Sequence, residues 1–137
     1  LHVDQRQKLH ANIMSLLEKV ENFGEARTRF LAKSGTRLIS VLTEDIAYFY
    51  TKDRLQFLKT IKGEDYIIDK RLDEIETELD RKVFFRVNRQ FILNYNSIHK
   101  VHTWFSGKLK VAVQPEAYEE IIISRLKAAD FKKWLGE

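Results

Sequence analysis

The sequence predicts a mostly antiparallel β domain that carries three small helices. Short runs rich in β-branched and aromatic residues recur along the chain from about residue 30. Turn signals separate these runs at intervals of about 8–12 residues, which is typical of all-β domains. No strand alternates regularly with a long helix, so a doubly wound parallel sheet is not expected. The 137 residues are enough for one domain with its own hydrophobic core.

The first segment is predicted to be a helix with a heptad-like apolar seam. Its apolar residues follow one another at alternating spacings of four and three: Leu9, Ile13, Leu16, Val20 and Phe23. Gly24 is a plausible end for this helix. Because two heptads are too few to require a coiled coil, two readings stay open. The helix either lies against its own domain as a linker or forms the seam of a dimer.

Runs of β-branched residues, and runs in which apolar and polar residues alternate, predict where the strands lie. The predicted strands are Arg37–Leu42, Ile46–Thr51, 55–61, Tyr66–Ile68, Val83–Val87, Ile98–Phe105, Lys108–Val113 and Ile121–Ile123. In the segment 55–61 we expect Leu55, Phe57 and Ile61 to face inward, because they alternate with polar residues. Turns are expected at Ser34-Gly35 and at Ser106-Gly107.

Two further helices are predicted from apolar residues at helical spacing. A short one buries Leu72, Ile75 and Leu79 and exposes acidic residues between them. The last one runs from about Arg125 to Leu135, with Ala128, Phe131 and Leu135 on its apolar face.

The composition excludes several classes of function. No cysteine occurs, so disulfides, zinc fingers and thiol catalysis are excluded, and a reducing compartment such as the cytoplasm is expected. No apolar run approaches the roughly 20 residues of a membrane-spanning helix, so no membrane partner is evident. Since the chain opens with Leu1 rather than Met, we expect it to be a fragment of a longer protein.

Catalytic motifs are not found in the sequence, so no enzyme activity, metal or cofactor is expected. Phosphate-binding glycine loops, nucleophile elbows and HExxH motifs do not occur. His99 and His102 are three residues apart on a predicted strand and would point to opposite faces. Asp65, Asp69 and Asp73 could form a nuclease metal site, although a solvated charged surface is the more typical role of such a pattern.

Positive charge is concentrated toward the C-terminus. Residues 81–137 hold eleven basic and five acidic side chains, a net charge of +6, whereas the whole chain carries +4. Such a segment favours an anionic partner.

Two strand ends in this basic segment share an unusual pattern. Asn88-Arg89 and Ser124-Arg125 each place a good helix N-cap residue directly before an arginine. If both residues cap helices, each arginine lies at the positive end of a helix dipole, which disfavours a cation by up to about 1 kcal/mol. A bound anion would remove this penalty. We call Asn88-Arg89 the first corner and Ser124-Arg125 the second corner, and both are predicted to bind anions.

These residues resemble those of a known family, the LytTR DNA-binding domain of LytR/AlgR-type bacterial response regulators. The resemblance covers about residues 29–128, and its most specific part is the run Phe84–Asn94 with its Asn88-Arg89 pair. Three further matches are Ile98, the triplet Ile123-Ser124-Arg125, and Asp45–Phe49 followed by Lys52–Leu55. The chain departs from the family at Asn88, where histidine is frequent, and at Gln90, where serine is usual.

The resemblance implies an elongated fold of about ten strands in small antiparallel sheets. It also implies sequence-specific binding of double-stranded DNA, with loops inserted in successive major grooves. On this basis residues 1–28 are the helical linker that follows a receiver domain, and residues 29–137 are the DNA-binding domain of a two-component response regulator. The parent protein is expected to act as a homodimer.

The family's contact positions suggest individual roles. Arg89 and Arg125 are expected to read base edges, since an arginine fork matches guanine O6 and N7. Arg86, Lys52, Arg54 and Lys127 are expected to contact phosphates. Asn88 and Ser124 complete the two corners. Asp53 is a weaker DNA-binding candidate, because a carboxylate can accept a hydrogen bond from cytosine N4 but is repelled by phosphate.

One alternative function is left open by the sequence. The chain could be a non-catalytic interaction or dimerisation module that works through the seam in residues 1–28. Concentration-dependent dimerisation without salt-sensitive DNA binding would distinguish this function from the first.

Overall fold

The computed structural model describes residues 5–14 and 25–137, and these form three helices and ten strands. Residues 5–14 form helix α1. The other helices are α2 (Leu72–Thr77) and α3 (Arg125–Leu135). The strands are β1 (Arg29–Ser34), β2 (Arg37–Leu42), β3 (Ile46–Lys52), β4 (Leu55–Thr60), β5 (Asp65–Ile68), β6 (Phe84–Arg86), β7 (Phe91–Asn94), β8 (Ile98–Thr103), β9 (Leu109–Val113) and β10 (Ile121–Ile123). The predicted mainly β fold is confirmed.

The strands form two antiparallel sheets. A seven-stranded sheet has the order β2-β1-β5-β4-β3-β7-β6, and a three-stranded sheet has the order β10-β9-β8. Every strand pairing within the described residues is antiparallel. No helix in the described residues is both long and apolar enough to cross a membrane.

Two apolar clusters cover opposite faces of the large sheet. Phe49 and Tyr50 are neighbours on β3 but belong to different clusters, because successive side chains of a strand point to opposite faces. One cluster joins the large sheet to the small sheet and to α3 through Phe91, Ile123 and Phe131. The other cluster joins the large sheet to α2, where Leu72 and Ile75 are buried as predicted, and Leu79 just beyond the end of this helix is also buried.

The prediction of which side chains in the segment 55–61 face inward is wrong. Leu55 and Ile61 are exposed, whereas Leu58 and Thr60 are buried. Leu58 packs in the α2 cluster and Phe57 packs against the other cluster, so this strand is covered on both faces. A simple alternation of apolar and polar residues cannot describe such a strand.

The condition that Asn88 caps a helix is not met. Residues 88–90 form a bend, and β7 follows it as a strand paired with both β6 and β3. All four residues of β7 are buried, and the pairing with two neighbouring strands decides their conformation.

The N-terminal seam is described only in part. Leu9 and Ile13 lie on α1 and are exposed. Leu16, Val20, Phe23 and the predicted helix end at Gly24 lie outside the described residues.

We predict that Phe131→Ala lowers the free energy of unfolding by about 3–5 kcal/mol, because it empties a fully buried site in the interface between α3 and the sheets. The Phe131 ring lies 5.4 Å from the ring of Phe85 and 5.8 Å from that of Trp134. Urea denaturation measures the change. Leu38→Ala is the control, since this exposed side chain should contribute less than about 0.5 kcal/mol. An equal loss in both variants would contradict the packing described.

Candidate nucleic-acid interface

The bend between β6 and β7 is organised by the side-chain amide of Asn88. Its Oδ1 accepts hydrogen bonds from the backbone N–H groups of Gln90 (2.8 Å) and Phe91 (2.9 Å). Its Nδ2 donates to the carbonyl oxygen of Ile122 on β10 (3.1 Å). Asn88 therefore closes the bend and also ties it to the small sheet.

Arg89 stands at the tip of this bend and is exposed. Its backbone carbonyl accepts a hydrogen bond from Arg86 Nη2 at 3.1 Å. Within the described residues, its own guanidinium makes no ion pair or hydrogen bond. Because no helix follows Asn88, no helix dipole acts on the guanidinium of Arg89. The exposure of this cation results from its position in the bend.

The second corner has the local structure that was predicted. Ser124 is the N-cap of α3, and its Oγ accepts a hydrogen bond from the backbone N–H of Lys127 at 3.4 Å. Arg125 is the first residue of the helix and is exposed. No acidic residue lies in this first turn, so nothing there offsets the unfavourable pairing of the cation with the helix dipole.

The aliphatic stem of Arg125 crosses the 3-10 turn Phe105–Gly107. A Cβ placed on Gly107 would lie 2.8 Å from Cγ of Arg125 and 2.9 Å from its Cδ. Gly107 also has a φ of 75°, a conformation that favours glycine. Any side chain larger than that of glycine at position 107 would therefore collide with the stem of Arg125.

The two corners share one shallow cleft of about 630 Å³. Arg89 and Ser124 both line it, together with Lys108 and Lys127 and with the carboxylates of Asp73 and Glu76. Lys127 Nζ donates to the carbonyl oxygen of Arg86 at 3.0 Å, which adds a second link between α3 and the β6 end. The structure thus brings Asn88, Arg89 and Ser124 to one cleft, whereas Arg125 is not among the residues that line it.

Arg86 was expected to contact a phosphate, but in the structure its guanidinium contacts other groups of the protein. Its guanidinium forms ion pairs with Asp73 and Glu76 of α2, and it donates to the carbonyl oxygens of Asn88 and Arg89. Burial alone would lower the pKa of Arg86, but hydrogen bonds and charge interactions with the two carboxylates outweigh burial and raise it. With only 15% of its side chain exposed, Arg86 holds the bend rather than facing solvent.

The tip of the β3–β4 hairpin lies beside the first corner. The backbone N–H of Thr51 donates to the carbonyl oxygen of Gln90 at 3.0 Å. Asp53 and Arg54 form the two-residue turn with φ values of 52° and 65°, the pattern of a type I′ turn, which usually selects Asn-Gly. Two residues with a Cβ in this conformation carry backbone strain, which is frequent at functional sites.

Tyr118 is a residue of this region that the sequence did not single out. Lys52 Nζ lies 5.1 Å from the centre of its ring, and its hydroxyl donates to the carbonyl oxygen of Thr51 at 2.9 Å. Burial, together with Glu119 and Asp53, raises the pKa of Tyr118 to about 12. An isolated tyrosine in a loop gives no signal in the sequence, because Thr51 and Lys52, which it contacts at the hairpin, lie 67 and 66 residues away.

Acidic residues are also present near the corners. Glu119 and Glu120 line a concavity with Arg89, and Glu120 pairs with Lys110 at 2.8 Å.

The carboxylates of the nuclease alternative are not gathered in one place. Asp65 pairs with Lys59, Asp69 with Lys33 and Asp73 with Arg86. Within residues 5–14 and 25–137, no group of three or more acidic or histidine side chains could hold a metal ion.

We predict that Asn88→Asp lowers the free energy of unfolding by about 1–3 kcal/mol, because the new carboxylate keeps the two accepted hydrogen bonds but faces the carbonyl of Ile122. Urea denaturation measures this loss. Asn88→Ala removes all three hydrogen bonds and should also speed amide exchange at Gln90 and Phe91. Unchanged exchange at both amides would show that Asn88 does not close the bend.

Comparisons with known proteins agree with this architecture. Residues 36–136 match the family model of the LytTr DNA-binding domain. A solved LytTr DNA-binding domain of a putative methyl-accepting/DNA response regulator from Bacillus cereus superposes with a TM-score of 0.71 at 22% identity, covering 82% of this chain and 100% of that chain.

Curated relatives are regulatory proteins of greater length. The sensory transduction protein LytT of Bacillus subtilis is 28% identical over 120 residues, covering 88% of this chain and 48% of its own. LytT of Bacillus anthracis is 31% identical over 98 residues, with coverages of 72% and 39%. The transcriptional regulatory protein YpdB of Escherichia coli K12 is 27% identical over 97 residues, with coverages of 71% and 39%. This chain therefore spans half or less of the length of these relatives, and it belongs to the LytTR DNA-binding domain family.

Proposed function

We propose that the chain binds double-stranded DNA in a sequence-specific manner and serves as the output domain of a transcription regulator. One observation carries this proposal. Hydrogen bonds connect the bend at Asn88 with the start of α3 and with the β3–β4 hairpin, whose turn is Asp53-Arg54. Exposed arginines stand on all three of these elements.

Arg89 and Arg125 are assigned to base edges. Both are exposed, and neither forms an ion pair with a carboxylate of the described residues. Their forks are therefore available for bidentate hydrogen bonds to guanine O6 and N7, the most frequent specific contact in the major groove. The family membership supports insertion of the two corners into successive major grooves.

Lys52, Arg54 and Lys127 are assigned to phosphates. The ammonium of Lys127 uses one donor on the carbonyl of Arg86, which leaves two donors for an anion. Asp53 is adjacent to them, and cytosine N4 is the contact that suits its carboxylate.

Three residues of the predicted site act by positioning others. Asn88 and Ser124 use their side-chain oxygens on backbone N–H groups, and Arg86 is neutralised by Asp73 and Glu76. In this proposal they orient the corners instead of contacting bases.

The names of the relatives support a proposed role for the parent protein. LytT is a sensory transduction protein and YpdB a transcriptional regulatory protein. We infer a cytoplasmic two-component response regulator that acts as a homodimer, with residues 1–28 as the linker from a receiver domain and residues 29–137 as the DNA-binding domain.

The alternative of a dimerisation module is favoured by one observation. Leu9 and Ile13 are 61% and 47% exposed on α1, as expected for a seam that needs a partner. Dimerisation that depends on these residues, in a chain that binds no duplex, would support this second function.

We predict that Arg89→Ala and Arg125→Ala each weaken binding to the selected duplex by about 1–3 kcal/mol and relax the base preference at one position. Selection from a randomised duplex library, followed by titration with the selected and random duplexes, measures both effects.

The control for these arginines is Arg37→Ala. Arg37 is an exposed arginine on β2, at the opposite edge of the seven-stranded sheet. Its removal should leave the base preference unchanged. If the two corner variants lost affinity equally for selected and random duplexes, base reading by these arginines would be rejected.

We predict that Arg54→Gly raises the free energy of unfolding by up to about 1 kcal/mol, because glycine adopts its φ of 65° without a Cβ penalty. The same variant should weaken binding to all duplexes and lower the salt slope by about one unit, since a phosphate contact is lost. Asp53→Gly is the control for the stability gain alone, because it relieves a similar strain. Arg37→Ala is the control for the salt slope, because it removes an exposed cation at the opposite edge of the sheet. An unchanged salt slope in Arg54→Gly would show that Arg54 does not contact phosphate.

A further inference from the structure

The connection between β8 and β9 exposes two aromatic side chains that the site described above does not use. Trp104 is 38% exposed and Phe105 is 65% exposed. The next two residues, Ser106 and Gly107, have φ values of 59° and 75°. A serine in this conformation is uncommon, and it keeps the turn tight with Phe105 at its tip.

Lysines accompany both rings. Lys108 Nζ lies 5.3 Å from the centre of the Phe105 ring, and Lys110 Nζ lies 5.0 Å from that of Trp104. Lys110 also pairs with Glu120, whereas Lys108 has no carboxylate partner among the described residues. The turn therefore combines apolar surface with positive charge, which suits a polyanion that has apolar surfaces of its own.

The position of the turn connects it to the proposed interface. Gly107 lies directly under the stem of Arg125, and Lys108 lines the cleft that Arg89 and Ser124 share. A duplex that contacts Arg125 and Arg89 would thus also be close to this turn. The two lysines beside the rings favour an anionic partner, and the turn adjoins the proposed interface. Both observations favour the same duplex, rather than a protein, as the partner of the two rings.

We propose that Trp104 and Phe105 make an apolar contact with the duplex beside the base pairs contacted by Arg125. Phe105 packs against deoxyribose and thymine methyl groups, and Lys108 lies on a neighbouring phosphate. This inference rests on the proposed function and adds a fourth contact element to it. The contact carries no formal charge at the rings, so it contributes to affinity without adding to the salt dependence.

The test uses the 137-residue chain and the duplex that it enriches from a randomised library. Phe105→Ala should weaken binding to this duplex by about tenfold with an unchanged salt slope. Phe105→Leu should retain most of the affinity, because it keeps an apolar side chain at the tip. Leu38→Ala is the matched control, since it shortens another exposed apolar side chain on the far edge strand.

A fluorescence titration gives a second readout. The chain contains two tryptophans, and only Trp104 lies on this turn. Duplex binding should shield Trp104 from a collisional quencher in the wild-type chain, and Trp104→Phe should remove this change. Unfolding curves of each variant confirm that the fold is retained.

The possible results separate this inference from the proposed function. If Phe105→Ala binds as tightly as the wild-type chain while Arg125→Ala loses affinity, the turn is not a contact and the proposed function stands. If the wild-type chain enriches no duplex, both fail. If Phe105→Ala weakens self-association and leaves duplex affinity unchanged, the turn binds a second copy and the inference is overturned.

Discussion

The hydrogen bond from Asn88 to the carbonyl of Ile122 is the interaction on which the arrangement of the site depends. It joins the bend of the seven-stranded sheet to the end of β10, which continues through Ser124 into α3. The same side chain closes the bend through Gln90 and Phe91. Two corners that are 36 residues apart in the chain are thereby held as parts of one surface. The hydrogen bond from Lys127 to the carbonyl of Arg86 and the apolar cluster shared by both sheets and α3 support the same arrangement.

Two arginines near this hydrogen bond, Arg86 and Arg89, have opposite environments. The guanidinium of Arg86 forms ion pairs with two carboxylates and donates hydrogen bonds to two backbone carbonyl groups. Arg89, three residues later, is exposed at the tip of the bend. Because Arg86 donates to the carbonyl of Arg89, the neutralised arginine orients the backbone that presents the other one. A cation that is already neutralised in the fold is suited to positioning, whereas a solvated cation is available to an anionic partner.

The elements around this bond accept conformations that a stability-optimised domain would avoid. Asp53 and Arg54 occupy a turn that favours Asn-Gly, and Arg125 begins a helix where an acidic residue would be more stable. Phe105 is exposed at the tip of a tight turn. Each of these features is unfavourable in the isolated chain, and the proposed function gives each of them a role in binding a duplex. The large buried clusters on both faces of the main sheet stabilise the fold enough to tolerate them.

The sequence by itself determined the features that depend on neighbouring residues. The bounds of β2 and β10, the buried face of α2 and the cap at Ser124 follow from local alternation, helical spacing and capping chemistry. The tertiary structure decided the features that need distant partners. Residues 91–94 became a strand because β3 and β6 pair with them, and Arg86 turned inward because α2 presents two carboxylates to it. Strand pairing and ion pairing join residues far apart in the chain, so no local pattern contains them.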